Sequence, residues 1–176
     1  MAVLLLEDGR RFATLDAINP LIGPTRVDAF PLPVGVDHLL AEPALDEAGR
    51  AELLAHRDPS LDAEIAAAGW PPPLLQVLWP SMPADVEAQV RSYGPPHANP
   101  ADEVHHVVDG AIEFGLVLGD GSQGLLTLLP GDALRLHEGT EHWSVLTSDR
   151  RAKVIVYLSR PPGFSHRFTG TEVRVH

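Results

Sequence analysis

A chain of 176 residues, 44% hydrophobic and 21% charged, is long enough for one buried core and short for two. Thirteen Lys and Arg against 24 Asp and Glu give a formal net charge of -11, and no basic cluster interrupts that acidity, which disfavours nucleic acid; none is expected as a partner. Cysteine is absent, which removes disulfides, thiolate metal sites and cysteine nucleophiles; any metal must be held by His, Asp, Glu or an amide oxygen.

Along the chain, "VLLLE" and "RRFATL" flank Asp8-Gly9 and read as a hairpin within the first fifteen residues. The apolar run behind Met1 is too short for a secretory signal and has no basic segment ahead of it. No run approaches the ~20 apolar residues of a membrane span. A cytoplasmic protein with no membrane partner is expected. Helical patterns follow between proline-marked breaks. Residues 43–57, "PALDEAGRAELLAHR", carry acidic residues early and basic ones late, as a helix dipole favours. Residues 60–69 place Ser60 as an N-cap and Gly69 as a stop. Residues 82–92 put Pro83 in the first turn. Between the last two, the prolines of "WPPPLLQVLWP" leave room for one short extended piece, with Trp70 and Trp79 anchoring the N-terminal segment.

From Glu103 onward the pattern is strand and turn. "EVHHVVDG" and "AIEFGLVLGDGSQGLLTLLPGD" are punctuated by "DG" and "GDGSQG", and "ALRLHEG", "HWSVLTSD" and "RAKVIVYLSRP" continue the series. "HRFTGTEVRVH" ends the chain on an alternating run. Seventeen prolines and fifteen glycines suit such a fold better than a helical bundle. Residues 1–92 thus read as an N-terminal hairpin and helical segment, and 93–176 as the core of a single β-barrel or sandwich.

The stretch "PHANPADEVHHVVDG" concentrates the chemistry. Alternation along a strand puts Glu103, His105 and Val107 on one side and Val104, His106 and Val108 on the other. His97 and Asn99 are likewise two apart, and His142 starts a later strand after the turn at Glu138-Gly139. His106, on the outward side, is expected to pack beneath the N-terminal helices.

These two clusters resemble the paired cupin motifs. His97-x-Asn99-x3-Glu103-x6-Gly110 keeps the spacing of H-x-H-x3-E-x6-G, with Asn99 in the second histidine's place and Gly94 off the leading glycine's position. Gly131-x5-His137-x-Gly139-x2-His142 keeps the spacing of G-x5-P-x-G-x2-H-x3-N, with His137 for the proline and Leu146 for the asparagine. Twenty residues lie between Gly110 and Gly131. The stretch from "LLQVLWPSMPADVEAQVRSYGPPHANPADEVHHVVDGAIEFGLV" to "RAKVIVYLSRPPGF" further resembles the acireductone dioxygenase family, over roughly residues 35–170.

That resemblance implies a mainly β fold, a single cupin (double-stranded β-helix or jelly-roll) barrel with N-terminal helices. It implies metal ligation by His97, Glu103 and His142, with Asn99 at the remaining ligand position, and Fe(II) or Ni(II) as the divalent metal. The activity implied is that of a dioxygenase, with dioxygen and a small enediol or diketone-like compound that chelates the metal as its substrates. Two alternatives stand beside it: a redox-neutral metal-dependent isomerase or lyase, and a non-catalytic cupin that binds a small molecule. Asn99 offers a weaker, uncharged donor in place of imidazole, either as a ligand or as a hydrogen-bonding neighbour. His105 takes the place of an arginine that would grip an anionic substrate; it is shorter and partly charged near neutral pH, which implies a different or less acidic substrate and makes it the candidate catalytic acid or base. His137 is expected at the barrel mouth as a proton carrier or a solvated turn residue. A monomer or a homodimer is compatible with the sequence.

Overall fold

Alternating apolar side chains need a second sheet to cover them, and the architecture follows from that requirement. The computed structural model describes residues 1–175. Strands β1 (Val3–Leu6) and β2 (Arg11–Phe12) form the hairpin around Asp8-Gly9, followed by helix α1 (Leu15–Ile22) and strand β3 (Arg26–Ala29). Helices α2 (Asp37–Ala41), α3 (Glu47–Ala55) and α4 (Pro59–Ala67) lead to β4 (Leu74–Leu78) and helix α5 (Ala84–Arg91). The remaining strands are β5 (His97–Ala98), β6 (Glu103–Gly110), β7 (Ile112–Val117), β8 (Gln123–Leu128), β9 (Asp132–Leu136), β10 (Glu141–Leu146), β11 (Ala152–Leu158) and β12 (Arg167–Phe168). One sheet has the order β12, β5, β10, β7, β8, β1, β2 and the other β3, β9, β6, β11, β4, all pairings antiparallel.

Between the sheets, Leu4, Leu126, Leu128, Phe114 and Leu116 of the first meet Val107, Leu134, Leu136 and Val154 of the second. The outer face of the second sheet buries Val104, Val108, Ile155 and Tyr157 against Leu39, Leu53, Leu61 and Ile65 of α2, α3 and α4. Burial of that apolar surface, at about 25 cal/mol per Å², is what holds the short helices in place, since helices of nine residues or fewer are marginal alone. His106 lies in this layer, fully buried beside Phe30, as the outward side of β6 requires. Trp70 joins the same layer, and Trp79 packs against the inner core.

The boundary at residue 93 does not divide the sheets. β1 pairs with β8, β3 with β9 and β4 with β11, so N-terminal strands extend both. The N-cap of α4 is Asp58, not Ser60: its carboxylate accepts from the Ser60 and Leu61 amides, and Pro59 occupies the first turn where a missing N–H is harmless. The helix expected over 43–57 begins only at Glu47, capped by Asp46, whose side chain accepts from the Gly49 amide. The final alternating run yields only the two residues of β12, with 169–175 irregular and His176 outside the described residues.

Gly110 shows how tightly the motif glycine is specified. It ends β6 at φ +70°, beside a bulge between Lys153 and Val154, and a Cβ there would lie 2.0 Å from the Arg151 carbonyl oxygen. Backbone cannot step aside as a side chain can. Gly110→Ala is expected to destabilise the fold by about 3 kcal/mol or more, through overlap and a left-handed backbone together. Urea denaturation tests this, and a midpoint equal to that of the wild type would refute it.

Candidate metal centre

Strand register gathers the histidines. β5 lies between β10 and β12, with His97 opposite His142 on one side and opposite Phe168 on the other. β6 of the facing sheet contributes Glu103 and His105, both pointing inward. His97, Asn99, Glu103, His105 and His142 all line one cavity of about 550 Å³ between the sheets. The first three and His142 are buried, and the His97 and His142 rings lie 4.6 Å apart between centroids.

Both of those imidazoles are anchored in the same way. His97 Nδ1 donates to the Pro95 carbonyl at 2.8 Å, and His142 Nδ1 to the Thr140 carbonyl at 3.0 Å. A proton held at Nδ1 leaves Nε2 as the free lone pair, the tautomer a metal ligand needs. Burial, only partly opposed by the Glu103 charge, pushes His142 down to about 4, so its ring is neutral near neutral pH.

Glu103 is the only carboxylate lining the cavity among the described residues. Burial would raise its pKa, but the hydrogen bond and charge of His105, helped by His142 and the Asn99 amide, outweigh burial and hold it at about 2. One oxygen accepts from Asn99 Nδ2 and the other from His105 Nε2 at 2.8 Å. Drawn to those partners, Glu103 does not close with the histidines into a ready-made cage: no trio of His, Asp or Glu has metal-binding geometry among the described residues. The donor set itself fits a divalent ion. It has two imidazoles whose Nδ1 atoms are anchored to carbonyl oxygens, and one carboxylate that retains lone pairs beyond its two hydrogen bonds.

Asn99 is fully used. Its NH2 donates to Glu103 and its Oδ1 accepts from Nδ1 of His166, which fixes the amide orientation, since the reverse would set oxygen against carboxylate. His166 belongs to neither motif and carries no sequence signal of its own. It comes from the segment before β12 and packs edge-on against Tyr93, with ring centroids 5.0 Å apart. His105 packs against Phe114 at 4.8 Å, and its Nδ1 is buried with no partner among the described residues. His137 is more than half exposed, 3.6 Å from Asp102 and outside the cavity, in keeping with a solvated turn residue.

Two antiparallel sheets enclosing a buried histidine–carboxylate group define a cupin. A comparison with models of known protein families finds no match. Curated relatives are more informative. The chain is 36% identical over 172 residues to the acireductone dioxygenase of Rhodopseudomonas palustris (strain TIE-1), covering 97% of this chain and 98% of that one. It is 30% identical over 177 residues to that of Trichodesmium erythraeum, covering 98% and 97%. Among solved structures, the acireductone dioxygenase from Bacillus anthracis with a cadmium ion in its active centre superposes with a TM-score of 0.83 at 20% identity, over 96% of this chain and 98% of that one. This chain belongs to the acireductone dioxygenase family. It is accordingly an enzyme, a divalent-metal-dependent dioxygenase, as the resemblance to that family implied.

Proposed function

We propose that the enzyme cleaves a small enediol or diketone-like substrate with dioxygen, using Fe(II) or Ni(II) held by His97, Glu103 and His142, with Asn99, at the motif's fourth ligand position, acting as the hydrogen-bonding neighbour that orients Glu103. The observation that carries this reading is the convergence of those residues at one cavity in a chain of this family. A divalent ion there would act as a Lewis acid toward two neighbouring substrate oxygens and give dioxygen access to them. The chain's own residues do the rest. The anchored Nδ1 atoms of His97 and His142 hold their rings in fixed tautomers, so neither competes for substrate protons.

His105 differs from both. Its N–H is held at Nε2 by the Glu103 carboxylate, which leaves the unpartnered Nδ1 lone pair to accept a proton from a substrate hydroxyl as a general base. Val156, Phe114 and Leu78 make the wall beside it apolar, which excludes water and strengthens each polar contact inside. The cavity's one guanidinium among the described residues, Arg50, has Nε and Nη1 donating to the Leu45 and Leu75 carbonyls. With no arginine at position 105, the substrate end beside the reacting centre carries less negative charge than acireductone presents.

Oxygen uptake by metal-loaded protein against a panel of enediols, diketones and acireductone tests the reading. Stoichiometric uptake with carbon–carbon cleavage is expected for at least one member. Turnover without uptake would point to an isomerase or lyase, and binding without turnover to a non-catalytic cupin. His105→Gln is expected to lower kcat about a hundredfold with metal content unchanged. A kcat equal to the wild type's would remove His105 from catalysis.

A further inference from the structure

We propose that His166 supplies the imidazole that position 99 lacks, reaching the metal from the C-terminal segment across the β5/β12 pair. This rests on the metal-site reading above and deepens it. The register makes the placement specific. Arg167 pairs with Ala98 and Phe168 with His97, so the next step sets His166 opposite Asn99. Residues 97 and 99 share a strand face, as do 166 and 168, and of these four His97, Asn99 and His166 line the cavity while Phe168 is exposed. Directly opposed residues of an antiparallel pair have Cβ atoms about 5 Å apart, one side chain's reach. The histidine missing from the first motif therefore has a replacement one strand over.

The local chemistry agrees. His166 and His97 have ring centroids 4.9 Å apart, close to the 4.6 Å between His97 and His142. Each of the three imidazoles donates through Nδ1 to an oxygen: Pro95 O for His97, Thr140 O for His142 and Asn99 Oδ1 for His166. Each keeps Nε2 for a cation. Asn99, with its oxygen committed to His166 and its NH2 to Glu103, acts as the support that orients both. Tyr93 at 5.0 Å and Phe164 at 5.9 Å flank the His166 ring and restrict its rotation.

The test is a cobalt(II) titration of metal-free protein, following both affinity and the visible absorption of the bound ion, which reports coordination number and donor type. The proteins compared are the wild type, His142→Ala, His166→Ala, His166→Gln, Asn99→His and the double variant Asn99→His/His166→Ala, each checked for folding by circular dichroism. His166→Ala and His166→Gln are expected to weaken binding roughly tenfold or more and to change the spectrum. Asn99→His restores an imidazole at the motif position, so removing His166 in that background should change neither affinity nor spectrum. Wild-type affinity and spectrum in both His166 variants would overturn the proposal while His142→Ala still binds weakly. Unchanged binding in His142→Ala would instead overturn the site itself. A loss on His166→Ala that persists at full size with Asn99→His would also overturn it, because His166 would then not stand in for position 99.

Discussion

Glu103→Gln is expected to leave a folded protein that no longer holds its metal. The substitution keeps volume and shape but removes the one carboxylate lining the cavity among the described residues. Metal affinity should fall by at least about a hundredfold, above what loss of a mere outer-shell partner costs, and oxygen uptake should fall with it. The damage also spreads along a chain of hydrogen bonds. Glu103 now accepts from Asn99 on one side and His105 on the other. A glutamine can accept on only one side, so its NH2 must face either the Asn99 NH2 or His105 Nε2. If Asn99 turns over in response, its oxygen leaves His166. An accompanying stability loss of about 1–3 kcal/mol is expected, the range for a buried hydrogen bond to a charged group left unmade. Metal analysis after dialysis, beside thermal unfolding, separates the two effects. Stoichiometric metal in Glu103→Gln would sink the ligand set.

What could be read from the sequence, and what could not, follows from the range of the interactions involved. Alternation along β6 placed Glu103 and His105 inward and His106 outward, because strand faces are a local property with period two. The Asp8-Gly9 hairpin and the short strand within "LLQVL" were legible from equally local signals, a turn dipeptide in the first and flanking prolines in the second. Helix α4 was legible, but its cap was not, since Asp58 and Ser60 both suit that role and only the chain's entry direction decides between them. Helices α1 and α2 gave no clear signal. α1 carries a proline inside it, and α2 has five residues that depend on the sheet beneath them. Spacing alone brought His142 to His97, because the two motifs were recognisable. His166 had no such motif, its strand is two residues long, and its partner Asn99 lies 67 residues away. The available clue was a shortage: a motif short of one histidine in a chain that has nine.

The second large effect lies away from the cavity, at His106. Its ring is fully buried, both nitrogens lack partners among the described residues, and Phe30 stands 5.7 Å away. Burial pushes its pKa down to about 4, with Asp58 and Asp132 opposing too weakly to compensate. The unfolded chain binds this proton near the ordinary histidine value of 6.5, so between pH 6.5 and 4 the unfolded state holds more protons than the folded one. Stability therefore rises with pH across that window. His106 imposes no acid penalty above 6.5, and the penalty grows to about 3 kcal/mol as pH falls to 4. His142 titrates in the same direction and would mask the effect in the wild type alone, so the difference between two proteins is the informative quantity. His106→Leu removes the buried, unpaired nitrogens and replaces them with an apolar group of similar size in an apolar layer formed by Val104, Val108 and Ile155. The variant should be more stable by about 1–3 kcal/mol at pH 7, since no orphaned polar atom remains to be desolvated, and its advantage should widen toward pH 4.5. Urea midpoints of the metal-free proteins at pH 7 and 4.5 decide it. Parallel losses in the two proteins would mean that His106 finds a partner on folding, and that the acid sensitivity belongs to the cavity histidines.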